Sequence, residues 1–364
     1  MKVLFICDTL ASGGAQKLLT DLLEVVNKKI ECTVLSLSDK EDKYSKNINA
    51  WGIKVISISH EINTIGILKH IKEIILAGNY DLIHANLVHS IYYTAIVNII
   101  CKKKMPPLVL TEHSTDDKRR HWAIFKPIEK IVYSQYKEVI SISNQTQNNL
   151  ISWLHPRDIG KFKVIYNGIN LDKFYNAKGY SRTNKDFDYQ QDDFVLCLVG
   201  SFTPQKNHST IIEVVKKLPS NYKCLFVGEG PLLGEIKEKV SEENLNDRIA
   251  FWGYRNDIPE IMHSVDLVLV PSLWEGFGLV AAEAMASRTA IVSSNVQGLS
   301  EVVSDCGIQV DPQDVNGFVD AIQKMKETEI REIYINKAVE QVKRFDVKEM
   351  ANLYLDIYSS IIKR

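Results

Sequence analysis

Residues 266–288 read DLVLVPSLWEGFGLVAAEAMASR. Leu267–Val270 is apolar at every position, too short for a helix and closed by Pro271, so it reads as a strand buried on both faces. "LWEGFG" is then a loop at the strand's carboxyl end, and "LVAAEAMASR" a helix beginning near Leu279. Gly276 and Gly278 admit close backbone approach. The N–H groups of Phe277, Gly278, Leu279 and Val280 open the helix, where its dipole favours an anion. Glu275 precedes that point and Glu283 follows it by about a turn. Carboxylates are poor phosphate ligands but accept well from vicinal hydroxyls. A phosphate flanked by two such acids describes a sugar nucleotide. Glu283 alone could be an acid favoured by the dipole and Glu275 alone a surface glutamate; the two around one G-F-G loop are harder to dismiss.

The same strand–loop–helix grammar runs through the chain. "KVLFIC", "CTVLSL", "KVISI", "DLIHA", "PLVLTEH", "EVISIS" and "FKVIY" read as buried strands, separated by helix-length segments such as Ala15–Lys29, Ile65–Ala77 and Val88–Lys103. After residue 190 the rhythm restarts with "FVLCLVG", "KCLFVG", "DLVLVPS", "TAIVSS" and "GIQV". Buried strands alternating with helices predict parallel sheets covered on both faces, and two such runs predict two doubly wound α/β domains. The polar stretch Asn176–Asp193 reads as the linker, and "DFD" within it imitates a metal-binding DxD but belongs to that solvated segment.

Length and composition agree. The 364 residues are too many for one ordinary core, with 45% apolar and 24% charged residues and a formal net charge of −1. Residues 1–175 carry 23 Lys and Arg against 17 Asp and Glu, and the remainder 21 against 28. The mildly basic first half suits an anionic partner, and surface drift explains it equally well. The six cysteines form no CxxC pair and several lie in apolar runs, as buried reduced thiols do. No signal-like h-region opens the chain, and the apolar "IYYTAIVNII" is half a membrane span, so the expected location is the cytoplasm.

In open α/β sheets ligands bind beyond the carboxyl ends of the strands, so the loops there are the candidates. Gly13-Gly14 after the first strand brings backbone N–H groups towards an anion, and a tight turn explains the pair as well. No GxGxxG dinucleotide fingerprint is present. His113 stands just past a strand end beside Glu112 and Ser114, a polar setting that favours function over core, and His84 is a supporting residue at most. Lys206, next to Asn207, can meet phosphate oxygens or simply be solvated. The loop holding Gly253, Tyr254 and Arg255 could face a flat base.

At these residues the chain resembles the retaining glycosyltransferases of family 4 (glycosyl transferases group 1). The resemblance runs in order through "GGAQ" (Gly13–Gln16), His113, "VIYNGINLDKF" (Val164–Phe174), "GSFTPQKN" (Gly200–Asn207), "FWGYRND", "EGFGLVAAEAMA" (Glu275–Ala286) and "GLSEVV" (Gly298–Val303). It implies the α/β GT-B fold, two doubly wound Rossmann-like domains facing each other across a cleft. An acceptor-side domain would span 1–175, a linker 176–193 and a nucleotide-sugar domain 194–345, with a helix in 346–364 packing back on the first domain. It also implies roles. Glu283 would accept from ribose hydroxyls and Glu275 from those of the transferred sugar. Lys206 and the Gly278–Val280 backbone would hold the diphosphate. Gly14 would lie close to phosphate and acceptor, His113 near the reacting carbon, and Tyr254 and Arg255 by the base. The family commonly has an arginine where Ser201 stands, which throws the leaving-group charge onto Lys206, the helix start and Asn207.

The resulting expectation is a retaining hexosyltransferase or N-acetylhexosaminyltransferase using a UDP-sugar, with no metal and no other cofactor. Its acceptor would be a hydroxyl of a glycan, in particular a lipid-diphosphate-linked one, in surface polysaccharide or glycoconjugate assembly. A peripheral contact with an anionic membrane is expected from "CKKKMPP" and "KRRHWAIFKPIEKIVYSQYK", whose lysines could equally cap helices and whose aromatics could equally pack in the core. No nucleic acid is expected. The alternatives are a sugar-nucleotide epimerase of the same fold and a non-catalytic subunit of a glycosyltransferase complex.

Overall fold

A computed structural model describes the chain except Ser12, Glu41, 115–117, 182–188 and Arg364, and except the side chains of Lys103, Lys118 and His121. The "DFD" stretch therefore lies outside the described residues. The chain forms two compact units, Met1–Ile169 with Phe345–Arg364, and Asn170–Arg344.

The first unit is built on seven parallel strands: β1 Lys2–Cys7, β2 Glu31–Ser36, β3 Lys54–Ser57, β4 Leu82–Asn86, β5 Leu108–Glu112, β6 Glu138–Ser141 and β7 Phe162–Val164. Their order is β3-β2-β1-β4-β5-β6-β7, and each neighbouring pair is parallel. Alternate residues of β1 feed two separate cores. Val3, Phe5 and Cys7 pack with helix Gly14–Val26 and with Val347, Met350, Tyr354 and Tyr358 of helix Val347–Ile362. Leu4 and Ile6 pack with residues of helices Thr64–Gly78, Val88–Cys101 and Asn144–Leu154. A strand buried on both faces must be apolar throughout, as the sequence of β1 is.

The last helix belongs to this unit through polar as well as apolar contacts. Tyr358 Oη lies 2.7 Å from His84 Nδ1, and Thr111 Oγ1 lies 2.8 Å from His84 Nε2 and 3.0 Å from Tyr354 Oη. Burial lowers the His84 pKa to about 3. Both ring nitrogens are thus spent tying the helix to the sheet, and His84 is a core residue.

The second unit has six parallel strands: β8 Phe194–Val199, β9 Tyr222–Val227, β10 Ile249–Phe251, β11 Leu267–Val270, β12 Ala290–Ser294 and β13 Ile308–Val310. Their order is β10-β9-β8-β11-β12-β13. The edge strand β10 is three residues long and ends at Phe251, just ahead of the loop holding Gly253, Tyr254 and Arg255. Helix Leu171–Tyr175 sits in this unit, with Phe174 O 2.6 Å from His263 Nε2. The chain leaves the first unit after Ile169, ahead of the polar stretch 176–193, and re-enters at Phe345. Among the described residues, no helix is long and apolar enough to cross a membrane.

Candidate active site

In the second sheet the strand order reverses at β8: the chain passes from β8 to β9 on one side, while β11 lies on the other. Such a switch point opens a crevice at the carboxyl ends of the two strands. The loop after β8 carries Lys206 and the loop after β11 carries Glu275, and their side chains pair across this point, Lys206 Nζ to Glu275 Oε1. The same carboxylate oxygen accepts from Ser272 Oγ at 3.0 Å. Lys206 and Glu275 are 19% and 10% exposed, so the pair is shielded but not sealed.

Local chemistry aims both residues. Lys206 ends a short 3-10 turn, Pro204–Lys206, and its stem lies over Gly200, where a Cβ would come within 3.2 Å of Lys206 Cγ and Cδ. Gln205 fastens the two loops, its carbonyl accepting from Leu273 N at 2.8 Å and its Nε2 donating to Trp274 O at 2.9 Å. Helix Leu279–Ala286 starts at Gly278, whose φ of +93° is a left-handed value that glycine adopts readily, and no side chain caps the helix. Gly298, at φ +81°, lies so close to the loop that a Cβ would sit 2.5 Å from Glu275 O and 2.8 Å from Gly276 O. Glu283, 6% exposed, follows in the same helix. The Phe277 ring is buried, so this residue can offer a ligand only its backbone.

Other candidates turn out differently. Asn207, at φ +55°, donates through Nδ2 to Pro271 O (3.1 Å) and Pro312 O (2.9 Å), and its Oδ1 accepts from Thr210 Oγ1 at 2.9 Å. Its amide thus holds loops together and has no donor left for phosphate. Ser201 is exposed, and the adjacent histidine offers no replacement charge. His208 stacks on Phe202 at 4.1 Å, and burial, helped by Lys206, lowers its pKa to about 4. Arg255 donates to both carboxylate oxygens of Asp257, at 2.8 and 2.5 Å, and lies 5.0 Å from the Trp252 ring. Hydrogen bonding from Arg255 holds Asp257 down at about 2. Arg255 therefore shapes its loop, while Tyr254 is exposed beside it.

In the first unit, His113 follows β5, and its Nε2 is shielded from solvent with no hydrogen-bond partner among the described residues. Burial lowers its pKa to about 4, so it is neutral at ordinary pH. Behind it Glu112 accepts from Arg120 at 2.6 Å, from Tyr133 Oη and from Ser114 N at 3.1 Å. Gly14 is exposed at the start of helix Gly14–Val26, which no side chain among the described residues caps.

Sequence reasoning missed Ser272, Gln205 and Gly298. Gln205 acts through contacts with a loop some seventy residues on, Ser272 through a bond to Glu275 inside a loop with no regular period, and a glycine required for close approach looks like any turn glycine.

Comparison with known proteins decides what this arrangement belongs to. The family described as Glycosyl transferases group 1 matches residues 181–342, and that described as Glycosyltransferase Family 4 matches 12–173. An uncharacterised glycosyltransferase of Methanocaldococcus jannaschii is 30% identical over 292 residues, 76% of this chain and 74% of its own. The chain belongs to glycosyltransferase family 4. This glycosyltransferase is also 29% identical over 301 residues, 76% of each chain, to the UDP-Gal:alpha-D-GlcNAc-diphosphoundecaprenol alpha-1,3-galactosyltransferase of Escherichia coli. Its fold matches that of Anabaena HepE, solved in complex with UDP and glucose, with a TM-score of 0.86, 22% identity, and coverage of 99% of this chain and all of the other. The two Rossmann-like units are those of the GT-B fold, as the resemblance implies.

Proposed function

We propose that this glycosyltransferase moves a hexose or N-acetylhexosamine from a UDP-sugar to a hydroxyl of a lipid-diphosphate-linked glycan, with retention at the anomeric carbon. The observation that carries the donor half is the Lys206–Glu275–Ser272 cluster at the switch point, beside an uncapped helix start. A cation and a carboxylate paired in this way have two natural partners in a sugar nucleotide. Lys206 turns to the diphosphate, and Glu275, still held by Ser272, accepts from the sugar's hydroxyls. Glu283 takes the ribose hydroxyls. Lys206 and the N–H groups at the helix start then carry the charge of the departing diphosphate, a preorganised field aimed where charge develops. The acceptor oxygen attacks on the face the diphosphate leaves, and a leaving phosphate oxygen takes the acceptor's proton. We assign no divalent ion to these steps.

The acceptor half is supported by the relatives. Besides the E. coli enzyme, a diphospho-undecaprenol 4-alpha-N-acetylgalactosaminyltransferase of Campylobacter jejuni is 26% identical over 359 residues, 94% of this chain and 95% of its own. An acceptor held in a bilayer places the protein at an anionic membrane surface, and the first unit has a face that suits it. Helix Phe125–Ser134 turns Val132 and Tyr133 inward. Outward it presents Ile128 and Ile131, which with Trp122 and Ile124 are 47%, 55%, 67% and 71% exposed. Exposed Lys130 and half-buried Lys126 flank them. An exposed apolar stripe edged by lysines fits a headgroup interface. Three residues expected on that face from sequence are not there: Arg120 is buried on Glu112, and Tyr133 and Tyr136 are in the core.

The test is release of UDP from a panel of UDP-sugars, with and without prenyl-diphosphate-linked N-acetylglucosamine, alongside calorimetric titration with UDP. Acceptor-dependent release from one sugar, with an α-linked product, is expected. No UDP binding would overturn the reading.

A further inference from the structure

The first sheet has its own switch point. The chain runs from β1 to β2 on one side, while β4 lies on the other. In the second unit the corresponding position holds Lys206 and Glu275. In the first it holds Asp8 and His89, a pair unremarkable in the sequence because the residues are far apart and lie in different loops.

Asp8 follows β1 directly, and His89 is the second residue of helix Val88–Cys101 after β4. Asp8 Oδ1 accepts from Ser90 N at 2.7 Å, and Oδ2 accepts from His89 N at 3.0 Å. Oδ2 also lies 2.9 Å from His89 Nδ1. Capping the helix needs only the two backbone bonds; the bond to the ring is additional. It holds Nδ1 as the donor and so leaves the lone pair on Nε2. The His89 side chain is 68% exposed, with the Tyr93 ring 6.0 Å away, centre to centre. The turn that delivers it puts Leu87 at φ +74°, a costly conformation for a branched residue.

We propose that His89, oriented by Asp8, is an acceptor-binding residue: its Nε2 accepts a hydrogen bond from a hydroxyl of the sugar that receives the transferred group. This rests on the glycosyl-transfer reading above. The observations that carry it are the position at the switch point, the fixed tautomer, the exposed ring and the neighbouring aromatic. A carboxylate-steered imidazole beside an aromatic ring is a fitting way to recognise a sugar, with one polar group for a hydroxyl and one apolar face. The charged groups acting on the ring are Asp8, whose hydrogen bond raises its pKa, and Arg119, which opposes it together with partial burial. Only the neutral ring can accept, so acceptor binding weakens as pH falls through the protonation of His89.

The ring protons of His89 in the full chain, saturated with UDP, report this directly by NMR. Titration with the methyl α-pyranosides of glucose, galactose, mannose and N-acetylglucosamine should shift them saturably for at least one glycoside, and acidification should abolish the response. His89→Ala should weaken that glycoside's binding about five-fold, the loss of one ordinary hydrogen bond, while UDP affinity and thermal stability hold. Asp8→Asn should move the midpoint of the pH response downwards. If no pyranoside perturbs His89, or if His89→Ala binds the glycoside as tightly as the native protein, the proposal falls. Failure of UDP to bind would remove the transferase reading instead, and the glycoside titration without UDP would still decide this one.

Discussion

Glu275→Ala separates the two halves of the donor site. Glu275 is paired with Lys206, so UDP must compete with that ion pair for the lysine. A pair that is partly shielded costs about 1 kcal/mol to break, near the upper end for solvent-accessible pairs. Removing the carboxylate releases Lys206, and UDP affinity should hold or rise by up to about five-fold. Transfer should collapse. If the sugar gives Glu275 two hydrogen bonds, each to a charged acceptor worth roughly 1.5–3 kcal/mol, kcat/KM falls by about 10² to 10⁴. Calorimetric titration with UDP, paired with UDP release under turnover, reads both quantities on one preparation. A loss of UDP affinity as large as the loss of turnover would show that Glu275 belongs to the nucleotide and not to the sugar.

Lys206→Ala should instead lower both UDP affinity and turnover by at least about ten-fold, because the loop after β8 holds no second cation and Glu275 is left facing the diphosphate; native-like titration curves would mean that another group carries the charge. Turnover should persist in EDTA, since Lys206 and the helix start are assigned the leaving-group charge; activity abolished by EDTA and restored by magnesium or manganese would refute that assignment. Stability should fall on acidification from about pH 6.5 towards 4, because His84, His113 and His208 have lowered pKa values and the unfolded chain binds protons there that the folded one refuses, with His89 acting in the opposite sense. Thermal melts across that range should show it, and His84→Gln should flatten the slope. Ile128→Asp with Ile131→Asp should abolish co-sedimentation with phosphatidylserine vesicles without changing UDP binding; unchanged sedimentation would take the membrane off this face.

Much of the protein is legible in local sequence because its determinants are local. All seven strands of the first sheet and five of the six in the second announce themselves as apolar runs, since a strand covered on both faces can carry few polar side chains. The helix that opens at Gly278 is equally visible, because a strand, a glycine-rich loop and an apolar helix follow one another directly. Two doubly wound units, and the loops where ligands meet them, follow from that pattern alone. Which side chains meet in those loops does not. Lys206 and Glu275 touch only because β8 and β11 are neighbours, and Asp8 and His89 only because β1 and β4 are; strand order is a property of the whole sheet and leaves no local trace. The same holds for residues that looked alike in sequence and part company in space. Asn207 and Arg255 stand in loops at the carboxyl ends of strands but spend their hydrogen bonds on neighbouring loops and on Asp257, because a partly buried loop must satisfy its own polar groups before it can serve a ligand. Helix Phe125–Ser134 carries apolar residues on two faces, and only packing decided that Val132 and Tyr133 go inward while Ile128 and Ile131 are left to the outside.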